Sequence, residues 1–203
     1  ASGDGQLIAA VWDVNAMEGE RRTRIEQRIA DFQAVYEADA DLFGTIEYSA
    51  FSAQSGPLAT ADSVDAVLTF RNVHNWMGTD YSAKFFTAAF AALKPGGTLG
   101  VVEHRLPSSS DQDPRGATGY VHEVFVKAMA AAAGFEFVEG SEVNANPADT
   151  ADHPFGVWTL PPASRSTDRE GNTPEGFDAD AYLAIGESDR MTLKFVKPLE
   201  AVE

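Results

Sequence analysis

The sequence predicts an α/β protein with a mainly parallel sheet. Short apolar segments with the length of strands alternate along the chain with segments of helical periodicity, which is typical of this class. The last two strand-like segments have no clear helix between them, which predicts an antiparallel pair at one edge of the sheet. The length of 203 residues and the hydrophobic content of 44% fit one globular domain over residues 1–203.

The first half of the chain contains three predicted strands and two predicted helices. The segment LIAAVWD at 7–13 is a short apolar run, as expected for a buried parallel strand. The helix that follows has apolar residues at helical spacing and a charged outer face. Asp80 is expected to cap the second helix. In order, the elements are strand 7–13, helix 18–37, strand 45–51, strand 64–70 and helix 81–93.

The second half continues the alternation until a long polar segment interrupts it. Glycines after Pro95 end the preceding helix and lead into a strand at 98–102. A helix at 120–133 and strands at 135–143 and 191–198 follow. Residues 144–188 are rich in Pro, Asp, Ser and Gly, so we expect a long loop with little regular structure. Long loops often cover active sites, which makes this segment a candidate lid.

The composition excludes several functional classes. With 31 acidic and 15 basic residues the formal net charge is −16, whereas nucleic acids and anionic membranes are bound by concentrated Lys and Arg. We therefore expect neither as a partner; a small-molecule substrate and assembly into a homo-oligomer are both compatible with this charge. No apolar run approaches the roughly 18 residues of a membrane span. The absence of cysteine excludes disulfides, Cys-ligated zinc and thiol catalysis, and leaves open whether the protein is cytoplasmic or exported.

Ionisable residues follow the ends of three predicted strands. Asp13 ends the first strand, residues 71–74 follow the strand at 64–70, and Glu103, His104 and Arg105 follow the strand at 98–102. Ligands of open α/β sheets bind at the carboxyl ends of the strands, so a binding site is expected there. Strand alternation sends Glu103 and Arg105 to one side and His104 to the other, so the three are not expected to contact one ligand. The alternative for these residues is an ion pair that pins the following loop.

Six segments carry a resemblance to a known family: VWD at 11–13, DAVLTFRNVHNW at 65–76, LKPGGTLGVVEHR at 93–105, AAGFEFVEGSEV at 132–143, NPADT at 146–150 and DRMTLKFVKP at 189–198. In this order they resemble the class I S-adenosylmethionine-dependent methyltransferases. The set looks most like a poorly characterised bacterial group of predicted methyltransferases. The resemblance covers nearly the whole chain. It implies a Rossmann-like methyltransferase fold, S-adenosylmethionine as cofactor and methyl transfer to a small molecule.

One motif of the family is absent. Its first strand ends in a glycine-rich loop of the Gly-x-Gly-x-Gly type, which lets the backbone approach the cofactor. Here GDG at 3–5 precedes a strand that ends in an acidic residue, and so resembles the turn before the family's second strand. We therefore expect the first strand and first helix of the fold to be missing from these 203 residues, and the native chain to begin upstream of Ala1.

The resemblance implies a set of cofactor-binding residues. Asp13 would accept hydrogen bonds from both ribose hydroxyls, because a carboxylate matches a vicinal diol. Phe51 would stack on adenine beside Ser52, although the family often has an acidic residue here and this chain has none. Arg71 would pair with the carboxylate of the cofactor, and Asn72 would bind its amino-acid part. The alternatives are an ordinary loop aspartate at position 13 and a core phenylalanine at position 51.

Three residues are candidates for removing a proton from the substrate. His74 is one, because the unperturbed pKa of histidine lies near neutrality. His104 and Glu103 are the others. Each can instead be satisfied by the backbone or by an ion pair. Trp76 is expected to pack or to form a pocket wall, and His122 to be a core or capping residue.

Two other classes of function stay open. His74, His104 and His122 together with Glu103 offer nitrogen and oxygen ligands for a metal, although no His-Glu-x-x-His spacing is present. A non-catalytic module that keeps the fold and has lost the cofactor site is the second alternative, favoured by the absent glycine loop. A serine hydrolase is not expected, because the Gly-x-Ser-x-Gly motif is absent.

Overall fold

A computed structural model describes residues 5–199 and has the predicted α/β architecture. The GDG turn at 3–5 begins outside these residues. None of the helices in the described range is both long and apolar enough to cross a membrane. The strands are β1 (Leu7–Trp12), β2 (Ile46–Phe51), β3 (Val64–Phe70), β4 (Leu93–His104), β5 (Glu136–Ser141) and β6 (Arg190–Val196); the helices are α1 (Gly19–Glu37), α2 (Ala40–Phe43), α3 (Val73–Gly78), α4 (Ser82–Ala92), α5 (Glu123–Ala133) and α6 (Ala179–Ile185).

The strands form two sheets. In the first, β1 and β2 pair in parallel. The second has the order β3-β4-β6-β5, in which β3 and β4 are parallel and β6 is antiparallel to both of its neighbours. The predicted antiparallel pair is therefore confirmed, with β5 at the edge and β6 inside the sheet.

A gap separates the two sheets. A cavity of about 330 Å³ lies between them, lined by residues 9–12 of β1, by Leu68 and Thr69 of β3, and by side chains of α1, α3 and α4. Within residues 5–199, no strand pairs with the edge of β1 or of β3 that faces this cavity. The gap lies where the family resemblance leads us to expect a missing strand. The inner edges of β1 and β3 consequently keep unpaired backbone groups.

The core lies between the four-stranded sheet and helices α4 and α5. Along β4 every second residue points inward, so Leu99, Val101 and Glu103 are all buried. Phe86 of α4 and Val126 of α5 pack against the same face and are fully buried. Since the inward alternation continues to the end of β4, it places a carboxylate in an apolar core, where it needs hydrogen-bond donors.

Several local predictions differ from the structure. Residues 73–78 were not predicted as a helix, yet α3 begins there directly after β3. Asp80 does not cap α4: the capping position is held by Tyr81, and Asp80 has a positive φ of 58°. Strand β4 is longer than predicted and starts at Leu93.

The segment 144–188 is more ordered than its composition predicts. It contains a 3₁₀ helix at Gly156–Thr159 and the α-helix α6. The Asp178 side chain accepts from the backbone N–H groups of Asp180 and Ala181 and so starts α6 as an ordinary N-cap. The 3₁₀ helix brings buried residues against the second half of the fold, so the segment covers part of the sheet edge.

Candidate functional site

The centre of the site is the buried carboxylate of Glu103, which has no exposed surface. Its Oε2 accepts from the backbone N–H of Val73 at 2.6 Å and of His74 at 3.3 Å. Its Oε1 accepts from the backbone N–H of His104 at 2.9 Å and lies 3.0 Å from Nδ1 of His74. Three backbone N–H groups therefore donate to its two oxygens, as suits a carboxylate acting as an acceptor. They also satisfy the first N–H groups of α3, which explains why a helix starts there.

Glu103 fixes the orientation of His74. A carboxylate at this position accepts hydrogen bonds, and the contact at 3.0 Å then places the ring proton of His74 on Nδ1. The lone pair of this imidazole is then on Nε2. That atom has no hydrogen-bond partner among residues 5–199. It is not fully buried, so solvent or a ligand can reach it. The arrangement is that of a histidine base held by a buried acid.

His104 lies beside His74 with a different partner. The two ring centroids are 5.6 Å apart, and Nδ1 of His104 is 2.6 Å from the hydroxyl of Ser188. Burial, together with electrostatic repulsion from His74, Arg71 and Arg190, lowers the pKa of His104 to about 3. His104 is therefore neutral at physiological pH. The structure thus brings His74, Glu103 and His104 together at the carboxyl ends of β3 and β4.

Arg105 takes no part in this cluster. Its guanidinium binds Asp189 through Nε and Nη2, both at 2.9 Å, and Glu142 at 3.0 and 2.7 Å. Although burial opposes ionisation, these bonds and the backbone N–H of Asn146 hold the pKa of Asp189 below its usual range. Hydrogen bonds from Arg105 likewise lower the pKa of Glu142. The alternative of an ion pair that pins the following chain is correct for Arg105.

A second buried polar cluster holds the segment 144–188 onto the sheet. The hydroxyl of Tyr120 donates to Asp149 at 3.0 Å, and Nε2 of His153 lies 2.8 Å from the same carboxylate. The backbone N–H of Asp189 also donates to Asp149, at 2.8 Å. Burial and the charge of Asp149 raise the pKa of Tyr120. Sequence reasoning missed this cluster; the only local signal is the spacing of four residues between Asp149 and His153.

The cover over the histidines comes from the same segment. Trp158 of the 3₁₀ helix lies edge-on to His74, with ring centroids 5.9 Å apart. Ser188, at the end of the segment, reaches His104. His74 and His104 are only 7% and 9% exposed, so little more than an edge of each ring is accessible. The segment therefore forms one wall of the site.

Asp13 and Ser52 occupy the ends of β1 and β2, on the other side of the gap. Asp13 is buried and accepts from the backbone N–H of Asn15 at 2.9 Å. The Ser55 hydroxyl and this N–H hold its pKa below the usual range, so Asp13 is a carboxylate. Ser52 accepts from the backbone N–H of Ser55 and Gln54, both at 3.1 Å, and shapes the turn after β2.

Phe51 and Trp76 have packing contacts that also border the gap. Phe51 is buried and lies edge-on to Tyr81 and Phe85, as the alternative of a core phenylalanine requires. Trp76 stacks on Phe85 with ring centroids 3.8 Å apart, which confirms a packing role. Both Phe51 and Trp76 also line the cavity between the sheets. An aromatic wall is therefore available to a ligand at this edge.

Arg71 and Asn72 follow β3 directly. The backbone N–H of Arg71 donates to Val102 at 2.7 Å, while its side chain is exposed. Asn72 donates to the carbonyl of Phe70 at 3.2 Å and lines the cavity. Arg71 has a positive φ of 57°, as expected where a strand turns sharply into a helix. Asn72 therefore borders the gap, and Arg71 is its neighbour in the chain.

A metal site was one of the alternatives, and the contacts of Glu103 argue against it. Ligand atoms of His74, Glu103 and His104 lie within 4.8 Å of one another. The oxygens of Glu103, however, already accept three backbone N–H groups and Nδ1 of His74, so they have no lone pair left for a metal. His122 does not belong to this group; it holds the capping position of α5 without a side-chain bond, and its Nε2 is buried without a partner.

Comparison with known proteins shows the fold. No protein-family model matches the sequence, and none of the curated proteins does. The structure of the cyclase SpnF aligns with 96% of this chain and 74% of its own at 17% identity, with a TM-score of 0.52. A candidate methyltransferase of Bacillus halodurans C-125 aligns with 96% of this chain and 84% of its own at 14% identity, with a TM-score of 0.51.

An S-adenosylmethionine-dependent methyltransferase of Methanosarcina mazei aligns less well, with a TM-score of 0.46 and 14% identity. The alignment covers 77% of this chain and 69% of the other. The chain has the Rossmann-like fold of the class I S-adenosylmethionine-dependent methyltransferases, as its sequence motifs predict. Since one structure with this fold is named for a cyclisation, the fold alone does not decide the reaction.

Proposed function

We propose that this protein transfers a methyl group from S-adenosylmethionine to a small-molecule acceptor. The observation that carries the proposal is His74, which Glu103 holds with its Nε2 lone pair free at the carboxyl ends of β3 and β4. Ligands of open α/β sheets bind at this edge. A base with a fixed tautomer at this point suits proton removal from an acceptor.

The residues around the gap fit such a cofactor chemically. The carboxylate of Asp13 matches the ribose hydroxyls, and the exposed guanidinium of Arg71 matches a carboxylate. Asn72 offers an amide beside it, and Phe51 offers an aromatic ring for adenine, with the hydroxyl of Ser52 next in the chain. When bound, S-adenosylmethionine supplies an electrophilic methyl group on a sulfonium.

In the proposed reaction His74 takes the proton of the acceptor on Nε2. Protonation would place a positive charge on the ring, and the carboxylate of Glu103, 3.0 Å from Nδ1, would stabilise that charge. Glu103 therefore acts through His74, because its own oxygens are occupied by donors. Trp158 and the rest of the 144–188 segment would cover the acceptor and select it by shape.

A non-catalytic module is the second candidate. The specific observation in its favour is that the acid expected near the adenine is absent at Phe51 and Ser52, while Asp13 already accepts from Asn15 and Ser55. A metal-dependent enzyme has less support, because Glu103 has no free lone pair and positive side chains surround His104. Cofactor binding separates the first two candidates.

The test begins with calorimetric titration of S-adenosylhomocysteine into the 203-residue chain. We expect binding in the micromolar range, weakened in Asp13→Asn and Arg71→Gln, and unchanged in His74→Gln and in the control His122→Gln. Turnover would then be followed with labelled cofactor and a panel of acceptors. His74→Gln should lose roughly 10²–10⁴-fold in kcat, the usual contribution of a positioned base, while His122→Gln keeps it.

The outcomes separate the candidates. Absence of binding by a folded chain would leave two candidates, an incomplete cofactor site and the non-catalytic module, and the same titration on a chain extended upstream would separate them. Binding with full turnover by His74→Gln would retain the activity and remove His74 as the base.

A further inference from the structure

His74 and His104 differ in the groups that face their Nδ1 atoms. His74 faces a carboxylate, which only accepts, so its tautomer is settled. His104 faces the hydroxyl of Ser188 at 2.6 Å, and a hydroxyl can either donate or accept. The role of His104 in the site depends on which of the two occurs.

The surroundings of Ser188 decide the direction of this hydrogen bond. Ser188 is 3% exposed, and within the described part of the chain its hydroxyl has no hydrogen-bond partner other than His104. If Ser188 accepted from Nδ1, its own O–H would be buried with no acceptor, which costs free energy. If Ser188 donates to Nδ1, its hydrogen is satisfied.

The other ring nitrogen of His104 can carry the proton without penalty. Nε2 of His104 has no hydrogen-bond partner among residues 5–199, but it is not fully buried. In this part of the chain, the ring nitrogen that is fully buried without a partner is Nε2 of His122. A proton on Nε2 of His104 can therefore meet solvent or a ligand. When Ser188 donates to Nδ1 and the ring proton of His104 is on Nε2, the polar hydrogens of both residues have either a partner or access to solvent.

Burial and the surrounding charge keep His104 in the neutral form. Arg190 is its direct neighbour across the β4–β6 pair, so the two side chains leave the same face of the sheet. Burial is the largest cause, because it disfavours a charged ring, and Arg71 adds positive charge nearby, as does His74 once it is protonated. When His74 gains a proton during a reaction, this charge disfavours protonation of His104 still more.

We propose that Ser188 positions His104 by donating to its Nδ1, so that His104 presents a neutral Nε2–H donor beside the Nε2 lone pair of His74. This inference rests on the proposed function and names the acceptor class: the substrate carries a hydroxyl group, and its oxygen is methylated. His74 is the base, and His104 donates a hydrogen bond to the same oxygen.

The donor and acceptor pair fits an oxygen better than a nitrogen. A deprotonated oxygen has three lone pairs, so it can accept from His104 and still attack with another. A neutral amine has one lone pair, and a hydrogen bond from His104 would occupy it. In this reaction the substrate oxygen forms a bond to the methyl carbon. The bond between that carbon and sulfur breaks, and its electron pair stays on sulfur. The hydroxyl proton goes to Nε2 of His74.

Ser188 belongs to the covering segment, which gives that segment a second role. Asp149 holds the backbone next to Ser188, because it accepts from the N–H of Asp189 at 2.8 Å. Tyr120 and His153 in turn hold Asp149. The buried cluster around Asp149 therefore sets the position of the Ser188 hydroxyl.

The first test is nitrogen-15 NMR of the histidine rings in the whole chain without ligand. Assignment of His104 uses the loss of its signals in His104→Gln. We expect Nδ1 of His104 to be unprotonated and Nε2 protonated, with the opposite pattern in His74. A protonated Nδ1 in His104 would overturn the proposal. The NMR measurement does not depend on cofactor binding or turnover, so it distinguishes failure of this proposal from failure of the proposed function.

The second test uses variants at position 188. Ser188→Ala should shift His104 toward the other tautomer and lower kcat roughly tenfold with little change in KM, as for loss of one hydrogen bond that matters in the transition state. Ser188→Thr keeps the hydroxyl and should restore both. Ser82→Ala is the matched control, because Ser82 is a buried serine outside the site.

The acceptor class is tested with paired alcohols and amines of the same carbon skeleton and labelled S-adenosylmethionine. We expect transfer to the hydroxyl compounds. Faster transfer to the amines, or a tautomer that does not change in Ser188→Ala, would overturn the proposal.

Discussion

The two sheets differ sharply in how completely they are packed. In the four-stranded sheet, Leu93, Leu99 and Val101 of β4 have no exposed surface. In the two-stranded unit, β1 has no buried residue, and Ile25 is the only buried residue of the 19 in α1. Helix α1 is also more polar than α4 and α5, so part of the difference lies in composition. Another part lies in pairing: β4 has a neighbour on each edge, whereas β1 has one on a single edge.

This comparison separates the two parts of the candidate site. His74, Glu103 and His104 lie in the well-packed half, where buried hydrogen bonds fix their positions. Asp13 and Phe51 lie across the gap, at the ends of β1 and β2. The groups proposed for proton transfer therefore have a rigid support of their own, while cofactor binding also depends on the unit across the gap.

The largest predicted effect is a difference in backbone protection between the two sheets. Amides of β6, which is paired on both edges, should exchange with solvent only through large-scale unfolding, whereas those of β1 should exchange through local opening. We expect opening free energies to differ by about 3 kcal/mol, roughly a hundredfold in rate. Hydrogen–deuterium exchange with mass spectrometry measures this directly.

Strand β5 is the matched control for that experiment. It is also an edge strand with every residue exposed, but it belongs to the four-stranded sheet. If edge position alone sets the rate, β1 and β5 will exchange alike. Faster exchange in β1 means that the two-stranded unit opens as a whole, and equal protection of β1 and β6 would contradict the comparison.

Much of the fold was predictable because it rests on local patterns. The run VDAVLTF at 64–70 coincides with β3, and Gly134 ends α5 with a positive φ of 104°, as its position after an alanine-rich helix predicts. Helix α6 has an equally local signal in Asp178 and Gly186 at its two ends, although the polar composition around it predicts a loop. Helix α3 was not predictable in this way, since its first N–H groups are satisfied by Glu103, thirty residues further along the chain.

The site was predictable in its residue types and not in its partners. The motif resemblance singled out His74, Glu103 and His104, and the fold brings them together. Strand alternation correctly separates His104 from Arg105 but fails for Glu103 and His104, which meet because the carboxylate folds back onto the N–H of the next residue. Ser188 and Asp149 come from a polar segment without periodicity, so only tertiary structure shows their contacts.

The second predicted effect is smaller and concerns the loss of stability in acid. It should arise in the half of the fold that contains the four-stranded sheet, because all four histidines lie there. The unfolded chain protonates His104 near pH 6.5, and the folded chain only near pH 3. Between these values the unfolded state binds more protons, so the free energy of unfolding falls as pH falls. The contribution of this one group is at most about 1.4 kcal/mol per pH unit.

Denaturant unfolding at several values from pH 6.5 to pH 5 tests this, because ordinary carboxylates titrate little in that range. In His104→Gln the decline of stability with falling pH should be less steep than in the wild type. Ser82→Ala is the control, because it replaces a buried side chain without removing a titratable group, and should keep the wild-type slope. An unchanged slope in His104→Gln would mean that His104 is not held neutral in the folded state.

The smallest predicted effect concerns ion pairs at the surface of the two halves. Glu26 pairs with Arg22 on α1, and Glu142 pairs with Arg105 beside the four-stranded sheet, each at 2.7 Å. Exposed pairs contribute little because water and salt screen the charges, and a helical pair of this spacing is worth about 0.3–0.5 kcal/mol. Glu26→Gln should therefore lose about that much, and Glu142→Gln should leave stability nearly unchanged, because Arg105 keeps Asp189 as a partner. Both are measured by denaturant midpoints. A large loss in Glu142→Gln alone would show that a surface ion pair, and not the buried bonds of Asp149 and Asp189, holds the covering segment in place.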